Sequence, residues 1–211
     1  MSCSKIVVAA LLAAKTLERI LILIIRKARK DDYVAVFPIL NQIFDEMDMA
    51  TIKRLPDSQF YDLMRLGFIS ENYRYSYNRI WVATDEHDRV LGILCMYSDR
   101  DQGIIDVVLR KEMAKVGLPM KTDIFTDKEA EKGEWYIDAI AVSPKYWGRG
   151  IASKLLDVAP KIAKKHGFSV VSLNVDKENP RAQRLYVHKG FETTHAMTIG
   201  DRVYDHMVKR V

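Results

Sequence analysis

Cysteine is scarce: the 211 residues contain two, Cys3 and Cys95. Two thiols cannot build a disulfide framework, and Cys95, set in an apolar run, reads as a core residue. The five histidines show no metal-type spacing, so no metal site is expected. A chain with so little cross-linking chemistry suits a reducing compartment, and the expected location is cytoplasmic. Repeats and low-complexity tracts are absent, which argues for one compact domain. Clean hydrophobic runs are lacking too. Residues 6–25 are apolar but carry Lys15, Glu18 and Arg19, so they make a poor membrane helix. Lys5 followed by an apolar stretch is the opening of a signal peptide, yet no small-residue cleavage site follows. Residues 1–20 are therefore expected to be an N-terminal extension and 21–211 a single domain, with no membrane partner. Acidic excess is also missing. The formal charge is +5, which fits an anionic ligand without requiring nucleic acid, because the basic clusters at 26–30 and 161–166 have no interleaved aromatics.

What is present is a core and an ordered set of elements. Apolar residues make up 48% of the chain. Leu21 to Arg26 reads as a strand. Asp31 or Asp32 could cap a helix carrying Val36, Ile39, Leu40, Ile43 and Phe44 at helical spacing. A second helical piece follows from Asp57 to Leu66. Ile80–Thr84 and Val90–Tyr97 are β-like runs joined by the turn Asp85–Arg89. A polar insertion, 101–132, contains a helical portion near 104–116. Trp135–Val142 and Ser169–Val175 read as strands, and Ile151–His166 as a helix that Pro160 should kink. Asn179-Pro180 is a helix start, with Asn as cap and Pro in the first turn. Phe191–Ile199 and Val203–Val211 close the chain as two strands. Hairpins mixed with helical crossovers give an α+β, or mixed α/β, class.

The most informative run is Trp135 to Leu156: a strand, the loop Gly148-Arg149-Gly150, then a helix. Unpartnered N–H groups in the first turn of a helix, with the helix dipole behind them, bind anions, and glycine lets a backbone approach a phosphate closely. Three phosphate ligands compete. A P-loop needs Lys and Ser or Thr after its second glycine, and these are missing. A dinucleotide fold matches Gly148, Gly150 and a downstream Asp176. However, Ser153 replaces its third glycine and too little chain remains for a doubly wound sheet.

The third reading is a resemblance. The loop Trp147-Gly148-Arg149-Gly150-Ile151-Ala152, followed by Asn179, Leu185-Tyr186 and Gly190-Phe191, resembles the GNAT superfamily of N-acetyltransferases. The resemblance spans about Leu21 to the C-terminus and is strongest over Glu134–Phe191. Trp147 departs from it, standing where the family has Gln or Arg and removing one pyrophosphate donor. The family fold implied is a mixed, mostly antiparallel sheet splayed between two parallel strands and flanked by helices.

The resemblance implies acetyl-CoA as co-substrate and direct transfer of its acetyl group to a primary amine, on a small molecule or a peptide, in a ternary complex. The pyrophosphate would lie on the amides of Gly148, Arg149, Gly150, Ile151, Ala152 and Ser153. The pantetheine arm would pair with Ile140, Ala141 and Val142, and an N–H near Val142 would polarise the thioester carbonyl. Asn179 would hold the arm, and Asn174 would face the cofactor. Tyr186 would protonate the leaving thiolate. An amine with a pKa of about 10.4 must also lose a proton, and Glu134 and Asp138, which share a strand face with Tyr136, are the candidate bases. The bland alternative makes Glu134 a solvated strand start and Asp138 a structural hydrogen-bonder. Candidates for the acceptor side are Asp45, Glu46, Asp48, the Tyr73–Tyr77 alternation and the insertion. A non-catalytic acyl-CoA-binding regulatory module is the alternative function. A closing strand could pair two subunits into a homodimer.

Overall fold

The computed structural model describes residues 22–46, 55–115 and 128–211. The N-terminal extension, Asp48 and the middle of the 101–132 insertion lie outside these residues. Seven strands form one sheet: β1 (Ile24–Lys27), β2 (Ile80–Thr84), β3 (Val90–Ser98), β4 (Trp135–Val142), β5 (Val170–Asp176), β6 (Glu192–Ile199) and β7 (Arg202–Arg210), in the order β1-β2-β3-β4-β5-β7-β6. Among the described residues five α-helices accompany it: α1 (Tyr33–Glu46), α2 (Asp57–Ile69), α3 (Val107–Lys115), α4 (Ile151–Lys165) and α5 (Pro180–His188). Among the described residues no helix is long and apolar enough to cross a membrane.

All neighbouring strands run antiparallel except β4 and β5, which are parallel and joined by the α4 crossover. That pair is registered only from Trp135↔Val171 to Ile137↔Leu173. Beyond Ile137 the strands part, while β4 stays paired with β3 up to Val142. The outer half of β4 therefore has one strand edge without a partner strand. The point of parting carries a β-bulge, since Cys95 pairs with Ala139 and Met96 with Ile137, leaving Asp138 as the extra residue. A bulge bends its strand and re-aims a side chain. Here it also shifts the alternation. Trp135 and Ile137 pack in the core under α4, whereas Ala139 packs in the core under α1 and α2.

Helix α4 shows why these residues take these places. Its apolar side chains Ile151, Leu155, Leu156, Ala159 and Ala163 are all buried against the sheet, and each large one contributes about 1.5–3 kcal/mol by leaving water. The helix runs through Pro160 to Lys165. Gly92 of β3 makes its close approach possible. A Cβ there would lie 3.0 Å from both the Ala141 carbonyl oxygen and the Ile151 side chain, and 3.3 Å from Leu155. The start of α4 is thus pressed against the outer end of β4.

Candidate active site

The loop before α4 turns through two left-handed glycines, Gly148 at φ 76° and Gly150 at φ 74°. Nothing lies within 4 Å of the Cβ either would carry, so conformation, not crowding, requires glycine. Gly150 is the N-cap and offers no side chain to the first turn. Its carbonyl takes the Lys154 amide, the first bond of the helix. Among the described residues the amides of Ile151, Ala152 and Ser153 have no partner. These bare donors end a groove of about 460 Å³ whose wall includes Ile140, Ala141 and Val142, the unpaired end of β4. Trp147 stands on its rim, 57% exposed, its indole N–H donating to the Val142 carbonyl at 2.7 Å. Arg181, from α5, also lines the groove. Arg149 instead lies over the Tyr146 ring, 5.6 Å from its centroid. An extended ligand with an amide-bearing arm and a diphosphate finds an open strand edge followed by an anion cradle, so the residues present fit acetyl-CoA.

A second cavity, of about 220 Å³, opens beside this groove on the α1 side of the sheet. The two share Ile43, Ile140, Asn179, Ala182 and Tyr186 as common walls. Asn179 caps α5 through Oδ1, which accepts the Ala182 amide at 3.0 Å. That cap and Pro180 set the helix that presents Tyr186 at the junction. The Tyr186 ring is 8% exposed and packs on Phe191. Its hydroxyl has no hydrogen-bond partner among the described residues, and burial pushes its pKa up to about 12.

The floor of the second cavity is a buried polar network. Arg74, on the segment between α2 and β2, donates from Nη1 to Asp138 at 2.7 Å and to Glu129 at 3.0 Å, and from Nη2 to Asp106 at 3.3 Å. Burial opposes the charge on Arg74, but Asp138, Glu129 and Asp106 outweigh it and hold its pKa above the ordinary value. Burial pushes Glu129 and Asp106 up, against the pull of Arg74, and the charge on Asp138 adds to the rise. Tyr136 donates to Glu129 Oε2 at 2.8 Å, and Asn174 Nδ2 donates to the Tyr136 hydroxyl and to the Glu129 carbonyl.

Glu134 occupies a different place from Asp138. It lines neither cavity. Its Oε1 lies 3.0 Å from Nε2 of His206, a residue with no exposed surface, and its Oε2 takes the Glu131 amide. His206 Nδ1 faces Asn174 Oδ1 at 2.7 Å. Since Asn174 spends its amide hydrogens on Glu129 and Tyr136, both ring nitrogens of His206 point at acceptors. The ring is thus held between a carboxylate and an amide oxygen. Burial pushes the Glu134 carboxyl up, but the hydrogen bonds from His206 and the Glu131 amide prevail and hold it below its usual range. The grouping of Glu131, Glu134 and His206 within 4.8 Å is accounted for by this pair. Asn174 likewise belongs to the network and lines the second cavity rather than the groove.

The sequence reading named neither Arg74 nor Glu129 singly. Both lay inside broader acceptor candidates, the tyrosine alternation and the insertion. The alternation is not an exposed strand: Tyr73, Arg74 and Tyr75 are all buried outside regular structure. Asp45 of α1 is exposed and bonded to Asn41 at 3.1 Å.

A splayed parallel pair, an open strand edge leading to bare helix amides, and a polar cavity meeting it at a tyrosine give two adjoining pockets of the kind a group-transfer enzyme uses. Comparison with known proteins gives the particular family. The model of the Acetyltransferase (GNAT) family matches residues 40–191, and the chain belongs to that family. A solved acetyltransferase structure superposes with a TM-score of 0.81 at 38% identity, covering 89% of this chain and 99% of that one. An N-acetyltransferase from Staphylococcus aureus Mu50 gives 0.74 at 28% identity, covering 88% and 100%. A curated relative, mycothiol acetyltransferase of Beutenbergia cavernae, is 40% identical over 63 residues, which is 30% of this chain and 20% of that protein. The chain thus spans about a fifth of that relative's length.

Proposed function

We propose that the protein transfers the acetyl group of acetyl-CoA to a primary amine by direct attack, with both substrates bound together. The observation that carries this reading is the junction of the two cavities at Tyr186. When bound, acetyl-CoA supplies an activated acetyl thioester. The Ile151, Ala152 and Ser153 amides would hold its diphosphate, Ile140 to Val142 its arm through backbone pairing, and Asn179 and Arg181 the groove wall around it. Asp138, which lines the second cavity beside Tyr136, serves as base for the acceptor. Glu134, spent on His206, serves the frame.

The phenol of Tyr186 offers its hydrogen to the departing sulfur. Its pKa of about 12 keeps it protonated across the working pH range. Outright transfer to a thiolate, with a pKa of about 8.5, is uphill, so the contribution is stabilisation of developing charge by a preplaced donor. A mere acyl-CoA-binding module needs neither this donor nor a polar cavity opposite it, which favours the enzyme.

The test is thiol release from acetyl-CoA against a panel of alkylamines, arylalkylamines, amino acids and peptide N-termini. Tyr186→Phe should lower turnover on the best amine by about 10²-fold while acetyl-CoA affinity stays the same. Wild-type turnover in the Phe variant would refute the role of the phenol. Tight acetyl-CoA binding with no amine-dependent thiol release would favour the binding module.

A further inference from the structure

Among the described residues, the acceptor cavity holds more buried carboxylates than it holds cations to pair with them. Asp138 and Glu129 share one nitrogen of Arg74, and Asp106 takes the other. Arg74 has a side-chain exposure of 4% and Asp138 of 1%. The neighbouring Arg110 pulls on Asp106. Even with Asp106 assigned to Arg110, two carboxylates remain on one guanidinium. The second cation on the cavity wall, Arg202, pairs with Asp176 at 3.1 Å, and His206 is held by Glu134. Among the described residues, the other titratable groups that face the two carboxylates include the neutral phenols of Tyr73, Tyr75, Tyr97, Tyr136 and Tyr204 and the neutral thiol of Cys95. Buried carboxylates left over in this way must share a proton or receive a cation. Asp138 Oδ2 is buried with no hydrogen bond. Glu129, 13% exposed, is the member that a ligand in the cavity reaches first.

We infer that the acceptor is a compact aliphatic amine bound as its ammonium cation by Glu129 and Asp138, with Arg74 as the positioning residue that holds the two carboxylates together. This rests on the acetyl-transfer reading of the same site. The carboxylate pair takes one proton from the ammonium. The freed nitrogen lone pair attacks the acetyl carbon, the carbon–sulfur bond breaks with its electron pair going to sulfur, and the second proton of the attacking nitrogen passes to that sulfur by way of the Tyr186 hydroxyl, so that an amide and a free thiol form and the phenol ends as it began. The cavity, of about 220 Å³, has room for a short alkyl chain.

The experiment measures kcat/KM of wild type, Glu129→Gln and Glu129→Asp for alkylamines of increasing length, a neutral arylamine and a peptide N-terminus, with acetyl-CoA affinity measured separately by calorimetry. Wild type should prefer short alkylammonium substrates. In Glu129→Gln the preference for the charged over the neutral amine should fall about 10²-fold, with acetyl-CoA affinity unchanged, and Glu129→Asp should recover part of it. The acid limb of kcat/KM should move toward lower pH in Glu129→Gln, as removal of one negative charge lowers the remaining base. An unchanged charged-to-neutral ratio in Glu129→Gln, or a wild-type preference for the arylamine or the peptide, overturns the inference and leaves acetyl transfer standing. Absence of thiol release with every amine, by protein that binds acetyl-CoA, overturns the transfer reading itself and the inference with it.

Discussion

Replacing Arg74 by Met keeps most of the side-chain volume and removes the guanidinium that, among the described residues, Asp138 and Glu129 share. Removing one partner of a buried ion pair costs about 3–5 kcal/mol. Protonation sets a ceiling on that cost. A carboxyl of ordinary pKa near 4 is held neutral at pH 7 at a cost of about 4 kcal/mol, and each unit of acidification reduces this by about 1.4 kcal/mol. Asp138, whose side chain is 1% exposed, is the carboxylate that the change leaves most deeply buried. The expected loss is therefore about 3–4 kcal/mol at pH 7 and about 1–2 kcal/mol at pH 5. For a domain whose total stability is of order 5–15 kcal/mol this is readily measured. Urea unfolding of wild type and variant at the two pH values, followed by tryptophan fluorescence and circular dichroism, supplies the numbers. A loss below about 1 kcal/mol at pH 7, or an equal loss at both pH values, would show that the arginine is not the electrostatic anchor of the cavity.

Two further changes address the groove and the frame. Gly150→Asp places a Cβ where φ is +74° and a negative charge beside the bare amides of α4, so acetyl-CoA affinity should fall at least about 10²-fold while the circular dichroism spectrum keeps its shape. Calorimetry showing wild-type affinity would remove the loop from the cofactor site. Glu134→Gln should change how stability responds to acid. Glu134 binds its proton less readily in the folded chain than in the unfolded one, so its contribution is complete above the ordinary glutamate pKa of about 4.3 and is lost as the pH falls below that value. Thermal midpoints between pH 6 and pH 3 should drop more steeply for wild type than for the variant, and parallel curves would sink the pairing with His206.

Local chemistry was legible in the sequence where it dictates the backbone. The strand 135–142, the start of α4 at Ile151 and the Asn179-Pro180 cap fall where alternation, glycine and capping rules place them. The turn at 85–89 is likewise where acid and polar residues cluster, with Asp88 left-handed at φ 60°. The helix after Asp57 runs three residues beyond the expected Leu66, to Ile69, because buried Gly67 and Phe68 continue its apolar face. The charge network was not legible, since it is made of long-range pairs: Arg74 meets carboxylates 32, 55 and 64 residues away. Period-two alternation at Tyr73–Tyr75 suggested a strand, but alternation reports only that every second side chain shares an environment, and here all three are buried. The one available signal was a lone arginine between aromatics, a charge that a core admits only when paired.

The bulge at Asp138 also escapes a periodicity reading, and it does the most to build the site. An unbroken β4 would send alternate side chains to opposite faces up to Val142, and its edge would stay zipped to β5. The extra residue bends the strand at the place where pairing with β5 ends, so the irregularity marks where the edge opens for the donor, while Asp138, on the face it shares with Tyr136, lines the acceptor cavity. The site also separates charges by sign. Bare amides and Arg181 face the groove, where the donor brings a diphosphate, and the carboxylates of Asp138 and Glu129 face the cavity, where the acceptor brings an ammonium. Fields of opposite sign on the two sides steer each substrate to its own pocket and repel it from the other. The neutral phenol of Tyr186 stands in the shared wall between them. It follows that a single substitution such as Asp138→Lys should do more than remove a base. It should turn the cavity toward anions and make amine binding fall while acetyl-CoA binding holds or tightens, a paired outcome that loss of general-base chemistry alone does not produce.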